Sequence, residues 1–110
     1  DMRILLDSAE PAAREAVDLF CYRIVREIGS LAAALGGLDA LVFTGGIGEH
    51  GAAVRAQVCT QLGWLGLRLN SAQNAANESK ISTPDSQVHV CVIPTNEEWM
   101  IARHTAKLLA

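Results

Sequence analysis

The chain has no apolar run long enough to span a bilayer. It also lacks an opening series of charged, apolar and small residues of the signal-peptide kind, so the expected location is the cytoplasm. Basic residues are scarce: nine Lys and Arg stand against twelve Asp and Glu, a net charge of -3, and no stretch gathers them on one face. Nucleic acid is thereby excluded as an expected partner. The three cysteines, Cys21, Cys59 and Cys91, are odd in number and far apart among apolar neighbours. That setting suits buried free thiols better than disulfides or a zinc cluster. His50, His89 and His104 show no metal-ligand spacing with one another or with the cysteines. No Gly-Lys-Ser or Gly-Lys-Thr is present, which removes the Walker phosphate loop. Internal repeats, low-complexity tracts and linkers are absent as well.

What is present is a 110-residue chain, half of it hydrophobic, enough for one modest core and a single domain over residues 1–110. It opens at Asp1 rather than Met, and its mean hydropathy lies slightly above zero. Both features fit a piece cut from a longer chain, with apolar surface meant for the remainder, and self-association is one expected symptom.

The most informative stretch is Leu41-Val42-Phe43-Thr44-Gly45-Gly46-Ile47-Gly48-Glu49-His50-Gly51, which joins a buried-looking strand to a helix through a glycine-rich loop. Glycine leaves no Cβ in the way of a ligand approaching the main chain, and the start of the following helix offers unpaired N–H groups suited to phosphates. A tight strand-to-helix turn would use the same glycines. Residues 46–51 also spell G-x-G-x-x-G, the fingerprint of a dinucleotide-binding Rossmann turn. That fold needs an acid roughly ~20 residues further on to hold the ribose. The neighbourhood of Asn70 has none, and the next acid is Glu78.

Taken in order, the apolar triplet Ile4-Leu5-Leu6 leads to a helix start at Asp7-Ser8-Ala9-Glu10-Pro11, where Asp7 and Glu10 imitate a capping box. Val17, Phe20, Ile24, Ile28, Leu31 and Leu35 recur at helical steps and predict one long helix over residues 9–35, ended by Gly36-Gly37. Residues 38–44 read as a central strand covered on both faces. Val54, Val58 and Leu62 predict a helix over 52–62 that stops at Gly63, followed by a short strand at Leu65, Leu67 and Leu69 with Trp64 packed at its edge. The polar stretch 70–87 predicts a short capped helix from Ser71 and then loop, with Ile81 the one clearly apolar residue. Residues 88–93 are β-branched and nearly continuous, a second strand closed by Pro94, and a final helix follows with Thr95 and Glu98 at capping-box spacing.

The Pro94-Thr95-Asn96-Glu97-Glu98 segment places acids at the end of a buried strand. Glu97 and Glu98 there either favour the positive helix start or, in the case of Glu97, reach a hydrated magnesium ion on nucleotide phosphates. Spacing does not choose between them.

The combination of Asp1-Met2-Arg3, Phe43-Thr44-Gly45-Gly46-Ile47-Gly48-Glu49 and Ile93-Pro94-Thr95-Asn96-Glu97-Glu98, in this order, closely resembles the acetate kinase family. The resemblance runs the length of this chain but covers only about the last quarter of a typical member. It implies an α/β fold, part of the second, nucleotide-holding domain of the actin-like ATPase fold shared with sugar kinases and heat-shock chaperones. It implies reversible transfer of the ATP γ-phosphoryl group to acetate, giving ADP and acetyl phosphate, with magnesium and as a homodimer. Propionate kinases share the same motifs.

Carried over position by position, Asp1, Met2 and Arg3 line the nucleotide pocket, Gly46, Ile47, Gly48, Glu49 and His50 form the adenosine-binding segment, and Glu97 is a magnesium ligand. Many members carry Asn where His50 stands, so a contact there is expected through the backbone. The catalytic residues of the family belong to the missing amino-terminal part, and the isolated chain is expected to be inactive. Two other readings stay open at this level. One is an NAD-binding Rossmann domain; the other is a non-catalytic pairing module built on the long helix.

Overall fold

A proline in the first turn and a glycine pair at the far end bound the longest element. Pro11 needs no N–H there, and Gly36 and Gly37, at φ 79° and 140°, take the left-handed turn that stops a helix. Their amides donate to the carbonyls of Ala33 and Ala32. The computed structural model describes residues 2–94, and within them the order is α1 (Met2–Asp7), α2 (Pro11–Leu35), β1 (Ala40–Phe43), α3 (Gly45–His50), α4 (Ala52–Thr60), α5 (Ser71–Ala75) and β2 (His89–Val92), with a 3-10 turn at Gly63–Leu65. The expected helix at the carboxyl end lies outside the described residues.

The start of the chain differs from expectation. Ile4, Leu5 and Leu6 belong to a separate short helix that Asp7 ends, so Asp7 and Glu10 make no capping box. Glu10 is the cap of α2 without a side-chain bond, and its own amide donates to Ser8 Oγ at 3.2 Å. Along α2 the buried positions are Ala13, Val17, Cys21 and Ala32, with Phe20, Ile24, Val25 and Ile28 packed against the core. Leu31 and Leu35 fall off this face and stand 60% and 73% exposed. The alanine at 32, not the leucine at 31, continues the buried stripe.

β1 and β2 run parallel, with Ala40 opposite His89 and Phe43 opposite Val92. The far edge of β2 is bonded to residues 79–81: Ile81 N donates to Val90 O, and Val92 N donates to Ser79 O, both at 2.9 Å. β1 is not covered on both faces among the described residues, since Val42 is 47% exposed. The core instead gathers Val17 and Cys21 of α2, Val54, Val58 and Cys59 of α4, Leu62, Leu67, Ile81, and Val88, Val90 and Val92.

Leu65, Leu67 and Leu69 do not form a strand. Gly66 at φ 95° follows the 3-10 turn, and of this stretch Leu69 alone bridges to Ser82. The alternation survives in burial, with Leu67 buried and Arg68 out in an ion pair with Asp85 at 3.1 Å. Trp64 is largely exposed rather than packed at an edge. The short helix at Ser71 is capped by Asn70, whose Oδ1 accepts from Gln73 N at 2.9 Å. All three cysteines are free, Cys21 and Cys59 buried and Cys91 half-buried. No helix among the described residues is long and apolar enough to cross a membrane.

Candidate functional site

The glycine segment is not a loop. Gly45 turns the chain at φ 77°, and residues 45–50 then wind into α3 directly from the end of β1. Two glycines serve this path. A Cβ on Gly48 would lie 3.3 Å from the backbone carbon of Phe43, so Gly48 lets α3 fold back onto the strand it follows. A Cβ on Gly51 would lie 2.6 Å from the carbonyl oxygen of Ile47, which fits the break between α3 and α4. Gly46 is different. Its Cβ position meets nothing within 4 Å, so its backbone faces open space.

Gly46 also borders a cavity of about 370 Å³, together with Arg3, Leu6, Ile47, His50 and Gly51. α1 supplies Arg3 and Leu6, and α3 with its terminal glycine supplies the rest. Two segments separated by some forty residues of α2 and β1 therefore meet at one site. Of the residues predicted for it, Arg3, Gly46, Ile47 and His50 line the cavity. Met2 is half-buried against the core, Gly48 is tucked against Phe43, and Glu49 is half-buried on α3. Asp1 and Glu97 lie outside the described residues. Among those that are described, no group of three or more His, Cys, Asp and Glu could hold a metal ion.

Behind α3 stands a residue that sequence reasoning missed. Arg55 of α4 is completely buried. Its Nη1 donates to Gly48 O at 2.9 Å, its Nε to Asn74 Oδ1 at 2.8 Å, and its Nη2 to Asn74 O at 2.8 Å and to Asn77 Oδ1. Asn74 Nδ2 in turn donates to Ala52 O at 2.9 Å. Burial lowers the Arg55 pKa from its usual value, partly offset by the neighbouring Cys59. The Cys59 thiol is pushed up to about 12, chiefly by burial, against the opposing pull of Arg55. A signal for Arg55 did exist: it sits one helical turn before Cys59, on a face that its apolar neighbours mark as buried.

The literal G-x-G-x-x-G spelling is accidental. Gly46 and Gly48 lie within a helix, not in a loop ahead of one, so the segment does not present the turn that a Rossmann domain requires.

The sequence model of the acetokinase family matches residues 1–103. The acetate kinase of Rhodopseudomonas palustris strain TIE-1 is 59% identical over 98% of this chain and 28% of its own length. The crystal structure of Porphyromonas gingivalis acetate kinase superposes with a TM-score of 0.80 at 40% identity, covering all of this chain and 29% of that one. A propionate kinase from Francisella tularensis superposes with the same TM-score at 36% identity, over 93% of this chain and 27% of that one. The chain thus spans less than a third of the length of these relatives. The shared architecture is α/β, the actin-like ATPase class.

Proposed function

The chain belongs to the acetokinase family, and on that premise we propose that it is the carboxyl-terminal, nucleotide-holding part of an acetate kinase, forming one partial domain over residues 1–110. The parent reaction is reversible transfer of the γ-phosphoryl group between ATP and acetate, yielding ADP and acetyl phosphate. One observation carries the assignment of roles: Arg3 and the backbone of Gly46, with Ile47 and His50, border a single cavity of about 370 Å³. That volume is within the usual range for small-molecule sites. The apolar side chains of Leu6 and Ile47 offer a wall for a flat base, Gly46 leaves its backbone uncovered, and Arg3 brings a guanidinium.

Phosphoryl transfer asks a protein chiefly for positioning and charge neutralisation. This chain contributes the nucleotide wall. Magnesium, held by Glu97, phosphate oxygens and water, would neutralise the phosphates. The acyl site, the catalytic residues and the facing wall of the cleft belong to the amino-terminal domain of the parent. The proposal includes a homodimer in the cytoplasm, and Ile4, Leu31, Leu35 and Trp64, all strongly exposed, are apolar surface that assembly would cover. A propionate kinase is the second reading, favoured by the Francisella tularensis structure, because the groups that select the acyl chain lie outside this chain.

Paired calorimetric titrations with Mg-ATP and with NAD test the reading. Selective Mg-ATP binding that weakens in Glu97→Ala supports both the nucleotide site and the metal ligand. Selective NAD binding overturns the assignment. Acetyl phosphate formation by the 110-residue chain alone would overturn the division of labour.

A further inference from the structure

Arg55 is the one charged side chain among the buried polar residues described, which otherwise are Asn74 and Ser82. A buried guanidinium is normally matched by a carboxylate, because removing its charge from water is costly. Here all four acceptors are neutral: the Gly48 and Asn74 carbonyls and the amide oxygens of Asn74 and Asn77. A methionine or leucine would fill the same volume without that desolvation. The arrangement makes sense as a clamp, because the rigid fork of arginine donates in several fixed directions at once.

The clamp joins three segments. One arm takes the carbonyl of Gly48 in the last turn of α3, where a helix leaves carbonyls without intrahelical partners. The other arms hold Asn74 at the end of α5 and Asn77 beyond it. Asn77 has φ 54°, a left-handed conformation that asparagine tolerates better than most residues, and it turns its side chain to the guanidinium. Asn74 closes the circuit through Ala52 O at the start of α4. Gly46, Ile47 and His50 of the cavity ride on the same six-residue helix as Gly48.

We infer that Arg55 is a positioning residue for the nucleotide site: it does not line the cavity, and it fixes α3 from behind through the Gly48 carbonyl, with Asn74 and Asn77 as the anchor. This rests on the nucleotide reading of the cavity. Six residues, four of them in the run Gly45-Gly46-Ile47-Gly48, make a poor helix by propensity, so α3 depends on such external support.

The test compares the whole chain with Arg55→Lys, which keeps the charge but not the fork, and with Asn77→Gly, a milder change that removes one acceptor and still permits the left-handed backbone at this position. Two readouts are taken: amide hydrogen exchange resolved by residue, and Mg-ADP titrated into the millimolar range. In Arg55→Lys, exchange at residues 48–52 is expected to rise about tenfold or more while the central amides of α2 change less than about twofold, and nucleotide affinity falls about tenfold. Asn77→Gly should move both in the same direction by a smaller factor. It keeps the test decisive where Arg55→Lys fails to fold. Exchange that rises equally in α2 and α3 in both variants overturns the inference, leaving Arg55 a general stabiliser. Local loosening of α3 with unchanged affinity also overturns it. Absence of nucleotide binding in the unaltered, folded chain overturns the site reading itself, and the positioning role with it.

Discussion

The Cβ position of Gly51 lies 2.6 Å from the carbonyl oxygen of Ile47, and the amide of Gly51 donates to that same oxygen at 2.7 Å. The contact that forbids a side chain is thus the contact that holds the α3–α4 junction. Gly51 is itself buried, and the close atom is a backbone oxygen, which cannot rotate aside as a side chain could. Gly51→Ala is expected to destabilise the fold by about 2 kcal/mol or more, read as a lower midpoint in urea. A change below about 0.5 kcal/mol would show that the junction yields.

Gly46 should respond in the opposite way. Its Cβ position is open, so Gly46→Val should leave the fold in place, with stability within about 1 kcal/mol of the unaltered chain. Nucleotide binding should be lost, because a branched side chain would stand in the cavity that Gly46 borders. Circular dichroism and an Mg-ATP titration separate the two effects. Undiminished binding in a folded Gly46→Val chain would remove Gly46 from the site.

The buried thiol of Cys59 makes stability depend on pH in the alkaline range. Its folded value is about 12 against an ordinary 9.0, so between these limits the folded chain keeps a proton that the unfolded chain releases. Stability should therefore be level below pH 9 and fall as pH rises, by about 1.4 kcal/mol per pH unit for one such thiol. Cys59→Ala removes this contribution. Urea unfolding of both proteins from pH 8 to 11 should show the difference between them shrinking at higher pH, and a constant difference would contradict the buried, protonated thiol.

Asn70→Ala should cost about 1 kcal/mol, the usual worth of a side-chain cap, since Asn70 Oδ1 accepts from Gln73 N at 2.9 Å. The backbone bond from Asn70 N to Ile81 O is untouched by this substitution. The loss should thus be confined to α5 and seen as faster amide exchange at Gln73. Protection at Gln73 equal to that of the unaltered chain would discount the cap.

Much of this architecture was legible because it depends on local chemistry. Pro11 and Gly36-Gly37 mark the ends of α2, Asn70 precedes its short helix, and the β-branched run at 88–93 carries β2. Two stretches differ from their sequence pattern for separate reasons. Residues 45–50 read as a loop because glycine disfavours helix, yet packing keeps them helical, and residues 65–69 read as a strand because leucines alternate, yet Gly66 takes a left-handed turn. α3 is held by Phe43 in front and Arg55 behind, while Gly66 at φ 95° bends the leucines out of an extended path.

Composition, spacing and motif were sufficient for the family and the class of fold, because those are recorded in residue type along the chain. The three-dimensional arrangement alone decided that Arg3 comes to Gly46 and His50 around one cavity, and which partners the buried Arg55 meets. Arg55 meets partners at positions 48, 74 and 77. Hydrogen bonds between residues so far apart follow from how the helices pack, and local sequence carries no trace of that.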